Sequence, residues 1–299
     1  GLVIFLAFLI SVLIFAPLTK VVVGLLVASG FIVVLGFLDD FKDVKPFIRL
    51  FVQFLATIIL VIFGIGILSI KIPFLGVIDF TGVVWQIGSF NLVLFSAFFT
   101  ILWVMSIVNT MNFIDGISGL SSGVTFIGAL VIFLLSIHPG IHEDPHSQVG
   151  VAIVALILAM VSLAFLLFDF PKPKILMGDT GSTFLGFALA TLAIFSGGKV
   201  ATAFLVLGIP ILDMIWVVLR RVVSGQKFWK GDLKHLHHRL LDLGVSESMV
   251  VLLYLFFTAI LGCSAVFFVN SEQKLFMGIA LIVLMVMLAF SLVLLPKKK

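Results

Sequence analysis

Long apolar runs, separated by short polar stretches, make up almost the whole chain. A helix needs about 20 apolar residues to cross the hydrocarbon core of a bilayer, and most of these runs approach that length. The pattern therefore predicts an all-α polytopic membrane protein with about ten transmembrane helices and a single domain, residues 1–299. The predicted spans are residues 2–16, 21–38, 49–70, 91–108, 119–137, 149–168, 183–197, 200–222, 249–269 and 276–295.

Composition agrees with a chain that is dissolved in lipid. It is 62% hydrophobic and only 11% charged, and its mean hydropathy is +1.37. A soluble domain must present more polar surface to water than this. The bilayer is therefore the expected partner, and no nucleic-acid partner is predicted. The single cysteine, Cys263, lies in an apolar run and cannot form an intrachain disulfide.

The positive charges orient the chain. If the polar stretches alternate between the two sides, 14 of the 18 Lys and Arg residues lie on one side. The positive-inside rule makes that side cytoplasmic, so we expect an active site that faces the cytoplasm of the cell membrane. On the other side, residues 71–88 combine turn residues with β-branched pairs, which predicts a small extracytoplasmic hairpin.

Three aspartates end the second apolar run in the stretch "GFLDDFKDVKP", residues 36–46. On a helix Asp39 and Asp43 share a face, whereas Asp40 points to one side. Adjacent carboxylates at a membrane surface are suited to Mg²⁺ or to a site that handles phosphate. The alternative is a solvated helix end.

The stretch "NTMNFIDGISGL" places Asn109, Asn112 and Asp115 at intervals of three, which predicts one polar stripe at the inner end of a span. Amide and carboxylate groups can bind a sugar or a base, or can complete a metal shell. Gly116 and Gly119 allow the backbone to turn or to approach a ligand closely. The alternative is a polar contact between helices.

In the stretch "PKPKILMGDTGS", Asp179 lies between Gly178 and Thr180, with Lys172 and Lys174 upstream. Asp179 offers one carboxylate to a divalent ion. A helix is expected to follow, and its free N–H groups could face an anion. An ordinary tight turn is the alternative.

The stretch "GDLKHLHHRL" concentrates cations and imidazoles, namely Lys234, His235, His237, His238 and Arg239. Arg and Lys neutralise phosphate charge and His can donate protons, so a phosphate clamp fits better than a zinc site. The alternative is a basic stripe on anionic lipid.

Asp213 lies inside an apolar run, and a carboxylate in that position is a functional candidate. An ion pair with Arg220 is the simplest alternative.

These four stretches in this order resemble the polyprenyl-phosphate N-acetylhexosamine-1-phosphate transferases. The resemblance covers essentially the whole chain and rests on "GFLDDFKDVKPFIRLFVQ", "NTMNFIDGISGL", "KILMGDTGSTFLGF" and "HLHHRLLDLG". It implies transfer of an N-acetylhexosamine-1-phosphate, most simply N-acetylglucosamine-1-phosphate, from a UDP-sugar to polyprenyl (undecaprenyl) phosphate. UMP is released, and the product begins the membrane stage of a cell-envelope glycan such as lipopolysaccharide or teichoic acid. The implied cofactor is Mg²⁺, with Mn²⁺ as an alternative.

The resemblance also implies roles for individual residues. The implied metal ligands are Asp179 and Asn112. The residues implied in catalysis are Asp39, Asp40, Asp115, His237 and His238, of which Asp39 and Asp40 handle the lipid phosphate. The residues implied in substrate binding are Asn109, Asn112, Lys174, His235 and Arg239. Some relatives are dimers, which implies a homodimer here.

Leu236 interrupts the histidine run, which is similar to the WecA- and TagO-type enzymes rather than the MraY-type. The family usually has one span more than the ten predicted here, so the chain is expected to lack the first span. Direct attack by the lipid phosphate and a covalent Asp intermediate both remain open.

Two other functions compete with this interpretation. "DDFKD" spells the DDxxD motif of UbiA-type prenyltransferases, but Gly119 stands where a second such motif would need an aspartate. A transporter for an anionic sugar or lipid would place its site near the bilayer midplane and would show repeats.

Overall fold

The computed structural model describes residues 1–42, 44–72, 76–87, 90–138, 148–195, 204–225, 235–267 and 271–294. Eleven helices and four strands are distinguished here among these residues. In chain order they are α1 (Leu2–Phe15), α2 (Lys20–Phe41), α3 (Pro46–Ile62), β1 (Ser69–Ile72), β2 (Gly76–Asp79), β3 (Val84–Ile87), β4 (Phe90–Val93), α4 (Leu94–Ile114), α5 (Leu120–Ile137), α6 (Val149–Asp169), α7 (Gly178–Phe195), α8 (Gly208–Val223), α9 (Leu236–Asp242), α10 (Glu247–Phe267) and α11 (Ser271–Leu294).

Six helices of the described residues are long and apolar enough to cross a membrane: α2, α4, α5, α6, α7 and α10. Shorter apolar helices are α1, α3 and the part of α11 at Leu275–Leu284. Large apolar side chains face outward, for example Val3 and Phe47, each 78% exposed, where lipid can solvate them. The chain is therefore a mostly helical, polytopic membrane protein. The number of ten spans stays a prediction.

Helix α7 lies at the centre of the bundle and is buried along nearly its whole length. Small residues allow its neighbours to approach its backbone. A Cβ on Gly36 of α2 would lie 2.5 Å from Cα of Thr180, and one on Gly186 would lie 3.0 Å from Cα of Val108 in α4. Close approach of backbones at small residues is the usual packing of membrane helices. Consequently α2, α4 and α7 form a tight central group.

The structure has two antiparallel hairpins, β1–β2 and β3–β4, where the sequence predicts one. They connect α3 to the start of α4, where the Ile67 N–H donates to Thr100 Oγ1 at 2.9 Å. The predicted end of the third span, residue 70, is wrong. Helix α3 ends at Ile62, and Gly64 adopts a left-handed φ of +88°. The hairpins therefore lie at the end of α4 opposite the Asn109–Asp115 segment.

Candidate active site

Asp40 caps the N-terminus of α7. Its Oδ1 accepts from the Asp179 N–H at 2.7 Å, and its Oδ2 accepts from the Thr180 N–H at 3.4 Å and from the Thr180 hydroxyl. A carboxylate in this position satisfies free N–H groups and interacts favourably with the helix dipole. The predicted anion at this helix is thus present, and it is a side chain of the protein itself.

Gly178 makes room for this cap. Its φ is +69°, and a Cβ there would lie only 2.8 Å from both carboxylate oxygens of Asp40. Only glycine combines that backbone conformation with that lack of volume. The cap also explains why α7 begins at Gly178, whereas the apolar pattern predicted a start at residue 183.

Arg49, in the first turn of α3, joins two carboxylates. Its Nη1 lies 3.0 Å from Oδ2 of Asp39 and 3.1 Å from Oδ2 of Asp179. Asp39 is only 8% exposed, and its Oδ1 accepts from the Val44 N–H at 2.8 Å. One guanidinium group therefore ties the C-terminal end of α2 to the N-terminal ends of α3 and α7.

Asn112 reaches Asp179 from α4. Its Nδ2 donates to Oδ1 of Asp179 at 2.7 Å and lies 3.2 Å from Oγ of Ser182. The two residues implied as metal ligands are thus direct neighbours, although they are 67 positions apart in the chain.

The arrangement of oxygens fits a divalent cation. Two carboxylate oxygens, from Asp39 and Asp179, converge on one positively charged nitrogen, so this position favours positive charge. No group of three His, Cys, Asp or Glu residues that could hold a metal is found in the described ranges. Protein ligands would therefore be few, which is usual for Mg²⁺ that completes its shell with water and substrate phosphates.

Asn109 faces a different neighbour. Its Nδ2 donates to Oε1 of Gln53 in α3 at 2.8 Å and to the Met105 carbonyl at 2.7 Å. Three residues on a helix turn through about 300°, so each step of the predicted stripe rotates it by about 60°. Asn109 and Asn112 are therefore neighbours on α4, but their partners differ, since Asn109 contacts α3 and Asn112 contacts α7.

Asp115 follows the last residue of α4 and is half-buried. Burial, together with the negative charges of Asp169 and Asp179, raises the pKa of its carboxyl group to about 8. Without a cation or ligand this group therefore keeps its proton at neutral pH. A bound cation would favour the ionised form.

The histidines of the fourth stretch surround the start of α9. The His237 ring lies nearly parallel to that of His235, with centroids 5.6 Å apart, and 4.3 Å from the ring of His238. His237 is fully buried, and its burial, together with the charges of His238 and His235, lowers the pKa of its imidazole to about 3. His237 is therefore neutral at physiological pH.

Gly116 connects this histidine group to the end of α4. A Cβ on Gly116 would lie 3.6 Å from Nε2 of His237 and 3.8 Å from Nε2 of His238. Asp115 precedes this glycine, so the second and fourth stretches meet at the same end of the bundle as Asp39 and Asp179.

For three predicted residues the structure describes no side-chain hydrogen bond with the rest of the site. Lys174 is exposed in the segment before α7, and Arg239 is half-buried in α9. Asp43 lies outside the described residues. The substrate-binding roles of Lys174 and Arg239 stay predictions.

A model of glycosyl transferase family 4 matches residues 22–197. The chain belongs to glycosyl transferase family 4. The matched region contains the first three stretches and the Arg49–Asp179 pair, whereas the histidines follow it.

Curated relatives of this family carry informative names. The chain is 31% identical over 246 residues to "Probable undecaprenyl-phosphate N-acetylglucosaminyl 1-phosphate transferase" of Bacillus subtilis, covering 80% of this chain and 64% of the relative. It is 31% identical over 286 residues to "Decaprenyl-phosphate N-acetylglucosaminephosphotransferase" of Mycolicibacterium smegmatis, covering 88% and 68%. It is 27% identical over 246 residues to "Undecaprenyl-phosphate alpha-N-acetylglucosaminyl 1-phosphate transferase" of Escherichia coli, covering 79% and 62%. The chain thus spans about two thirds of the length of these relatives.

Sequence reasoning missed several contacts of this family 4 site. In the sequence pattern Arg49 is only one of the cations that orient the chain, Gln53 falls within an apolar span, and Ser182 has no signal. Arg49 does have a sequence signal, because a cation in the first turn of an apolar helix, next to an aspartate cluster, is positioned to pair with it. Gln53 has a weaker signal, since a lone buried amide in an apolar helix requires a partner.

Proposed function

We propose that this protein transfers N-acetylglucosamine-1-phosphate from UDP-N-acetylglucosamine to polyprenyl phosphate and releases UMP. The observation that supports this most is the convergence of Asp39 and Asp179 on Arg49, with Asn112 hydrogen-bonded to Asp179 and the histidine group at the same end of the bundle. Carboxylates for a metal, cations for phosphate and amides for recognition are what phosphoryl transfer requires. The names of the relatives support polyprenyl phosphate and N-acetylglucosamine 1-phosphate as the substrate class.

We also propose that this end of the bundle faces the cytoplasm and that the chain has about ten spans. The distribution of Lys and Arg supports this orientation, with 14 of 18 on one predicted side. UDP-sugars are cytoplasmic, so the orientation would place the site beside its donor.

Asp179 and Asn112 would hold Mg²⁺ in this proposal. The metal, when bound, offsets negative charge on the donor pyrophosphate. Arg49 competes for the same carboxylates, so metal binding requires that its guanidinium release Asp179. A released guanidinium remains near Asp39, where it can bind a phosphate of the acceptor.

The remaining residues orient the reactants. A phosphate monoester has its second pKa near 6, so the acceptor is mostly dianionic at neutral pH and needs little general-base help. Asp39 therefore acts mainly in orientation. An acceptor oxygen attacks the β-phosphorus of the donor, a new P–O bond forms, and the bond from the β-phosphorus to the bridging oxygen breaks. UMP leaves with the electron pair of that bond.

The test is UMP release by the purified protein in lipid nanodiscs. UDP-N-acetylglucosamine with polyprenyl phosphate and Mg²⁺ should give UMP, whereas omission of the acceptor or addition of a chelator should stop it. A UbiA-type enzyme would instead consume a prenyl diphosphate without UMP release. A transporter would move substrate across the bilayer and leave it intact. Either outcome would overturn the proposal, and a sugar-phosphoryl-enzyme trapped without acceptor would overturn direct attack.

A further inference from the structure

Asp213 is a buried carboxylate in an otherwise apolar part of α8. It is 3% exposed, and Pro210, Ile211 and Val217 are buried on the same helix. Burying a charge is costly unless the charge is paired and hydrogen-bonded. The partners that the structure gives Asp213 lie 22 and 23 residues further on, at the start of α9.

Asp213 holds both the ring and the backbone at this position. Its Oδ2 lies 3.0 Å from Nδ1 of His235, and its Oδ1 accepts from the Leu236 N–H at 2.8 Å. Because a carboxylate can only accept, Nδ1 of His235 must carry the proton in this contact. Nε2 is then the ring nitrogen that remains for a ligand.

The two neighbouring imidazoles differ in their hydrogen-bond partners. Both imidazoles are buried, since His235 is 6% exposed and His237 is not exposed at all. His237 has no carboxylate partner among the described residues, and both of its ring nitrogens lack a hydrogen-bond partner there. His235 differs, because its Nδ1 lies 3.0 Å from Oδ2 of Asp213. Other ionisable groups near this pair are His237, His238 and Tyr254 of α10.

We propose that Asp213 is a positioning residue that orients His235 so that its Nε2 faces the pyrophosphate of the nucleotide substrate. This inference rests on the proposed function. No proton is transferred in this role, and Asp213 itself does not touch the substrate. It acts through His235, and its bond to Leu236 fixes the direction in which α9 begins.

The test is a double-mutant cycle on kcat and KM for UDP-N-acetylglucosamine. Asp213→Asn keeps the size of the side chain and an acceptor for the Leu236 N–H, but it removes the negative charge beside His235. We expect it to lower kcat/KM about 10- to 100-fold, as for loss of a charged hydrogen bond. In a His235→Ala background Asp213→Asn should lower kcat/KM less than about twofold, because the imidazole that Asp213 orients is already absent. Glu247→Gln, at the exposed start of α10, is the matched control and should leave activity unchanged.

Two outcomes would overturn the inference. In one, Asp213→Asn has the same kcat/KM as the unsubstituted protein. In the other, it lowers kcat/KM by the same factor with and without His235→Ala. An unsubstituted protein that releases no UMP would instead overturn the proposed function. If Asp213→Asn does not fold, ligand binding to His235→Ala decides the matter. That variant should bind UDP about tenfold more weakly and bind uridine as before, and equal weakening of both would contradict the proposal.

Discussion

Gly178 offers the sharpest test of how the site is built. Gly178→Ala must place a Cβ 2.8 Å from both carboxylate oxygens of Asp40 while φ stays at +69°. The left-handed conformation costs an alanine roughly 1 kcal/mol. Displacing the cap costs about 1–2 kcal/mol more, so we expect a total loss of about 2–3 kcal/mol in the free energy of unfolding.

Gly64→Ala is the matched control for the backbone part. Gly64 also has a left-handed φ, +88°, but no atom lies within 4 Å of its Cβ position, and it is at the other end of α3 from Arg49. Thermal unfolding in one detergent should show a loss of about 1 kcal/mol for Gly64→Ala and a clearly larger loss for Gly178→Ala. UMP release should fall only in Gly178→Ala, because Asp40 no longer holds the segment that carries Asp179. Equal stability and equal activity of the two variants would refute the capping argument.

Three further predictions concern the groups around this cap. Gln53→Leu removes the acceptor of the Asn109 amide, so we expect a loss of about 1–3 kcal/mol in unfolding free energy, measured by the same melt; an unchanged melt would contradict that pairing. Arg49→Ala leaves two carboxylates without their shared cation, so Mg²⁺ should raise its melting temperature more than it does for Arg49→Lys; equal responses would count against competition between Arg49 and the metal. The pKa of Asp115 is about 8 in the folded protein, against an ordinary value of 3.8. Between these pH values the folded state binds more protons than the unfolded state, so the metal-free protein should lose stability as pH rises. Asp115→Asn should remove this part of the pH dependence, and an unaltered profile would show that another group causes it.

The helical membrane character could be predicted from the sequence because it depends on local pattern. Long apolar runs need lipid around them and a helix to satisfy their backbone. The positions where the helices begin and end are harder to predict, because they depend on residues far away in the chain. Helix α7 starts at Gly178 because Asp40, about 140 residues earlier, provides its cap.

The candidate residues could be predicted by chemical type, but their pairing could not. Carboxylates and amides in apolar surroundings are conspicuous, so the sequence alone indicates both Asp179 and Asn112. The residues near Arg49 in sequence do not indicate that it lies between Asp39 and Asp179. Close packing of α7 against α2 at Gly36 brings Asp179 to Arg49. The structure similarly gave Asp213 a partner, His235, that its neighbours in sequence did not suggest.

The most direct test of the proposed activity is acceptor-dependent UMP release by Asp179→Asn in nanodiscs, beside the control Asp79→Asn. Asp179 lies at the centre of the contacts with Arg49 and Asn112, whereas Asp79 is an exposed carboxylate of strand β2 in the hairpin region. We expect Asp179→Asn to lose UMP release at every Mg²⁺ concentration and Asp79→Asn to match the unsubstituted protein. Near-normal release by Asp179→Asn would contradict both the metal assignment and the central place of this carboxylate in the site.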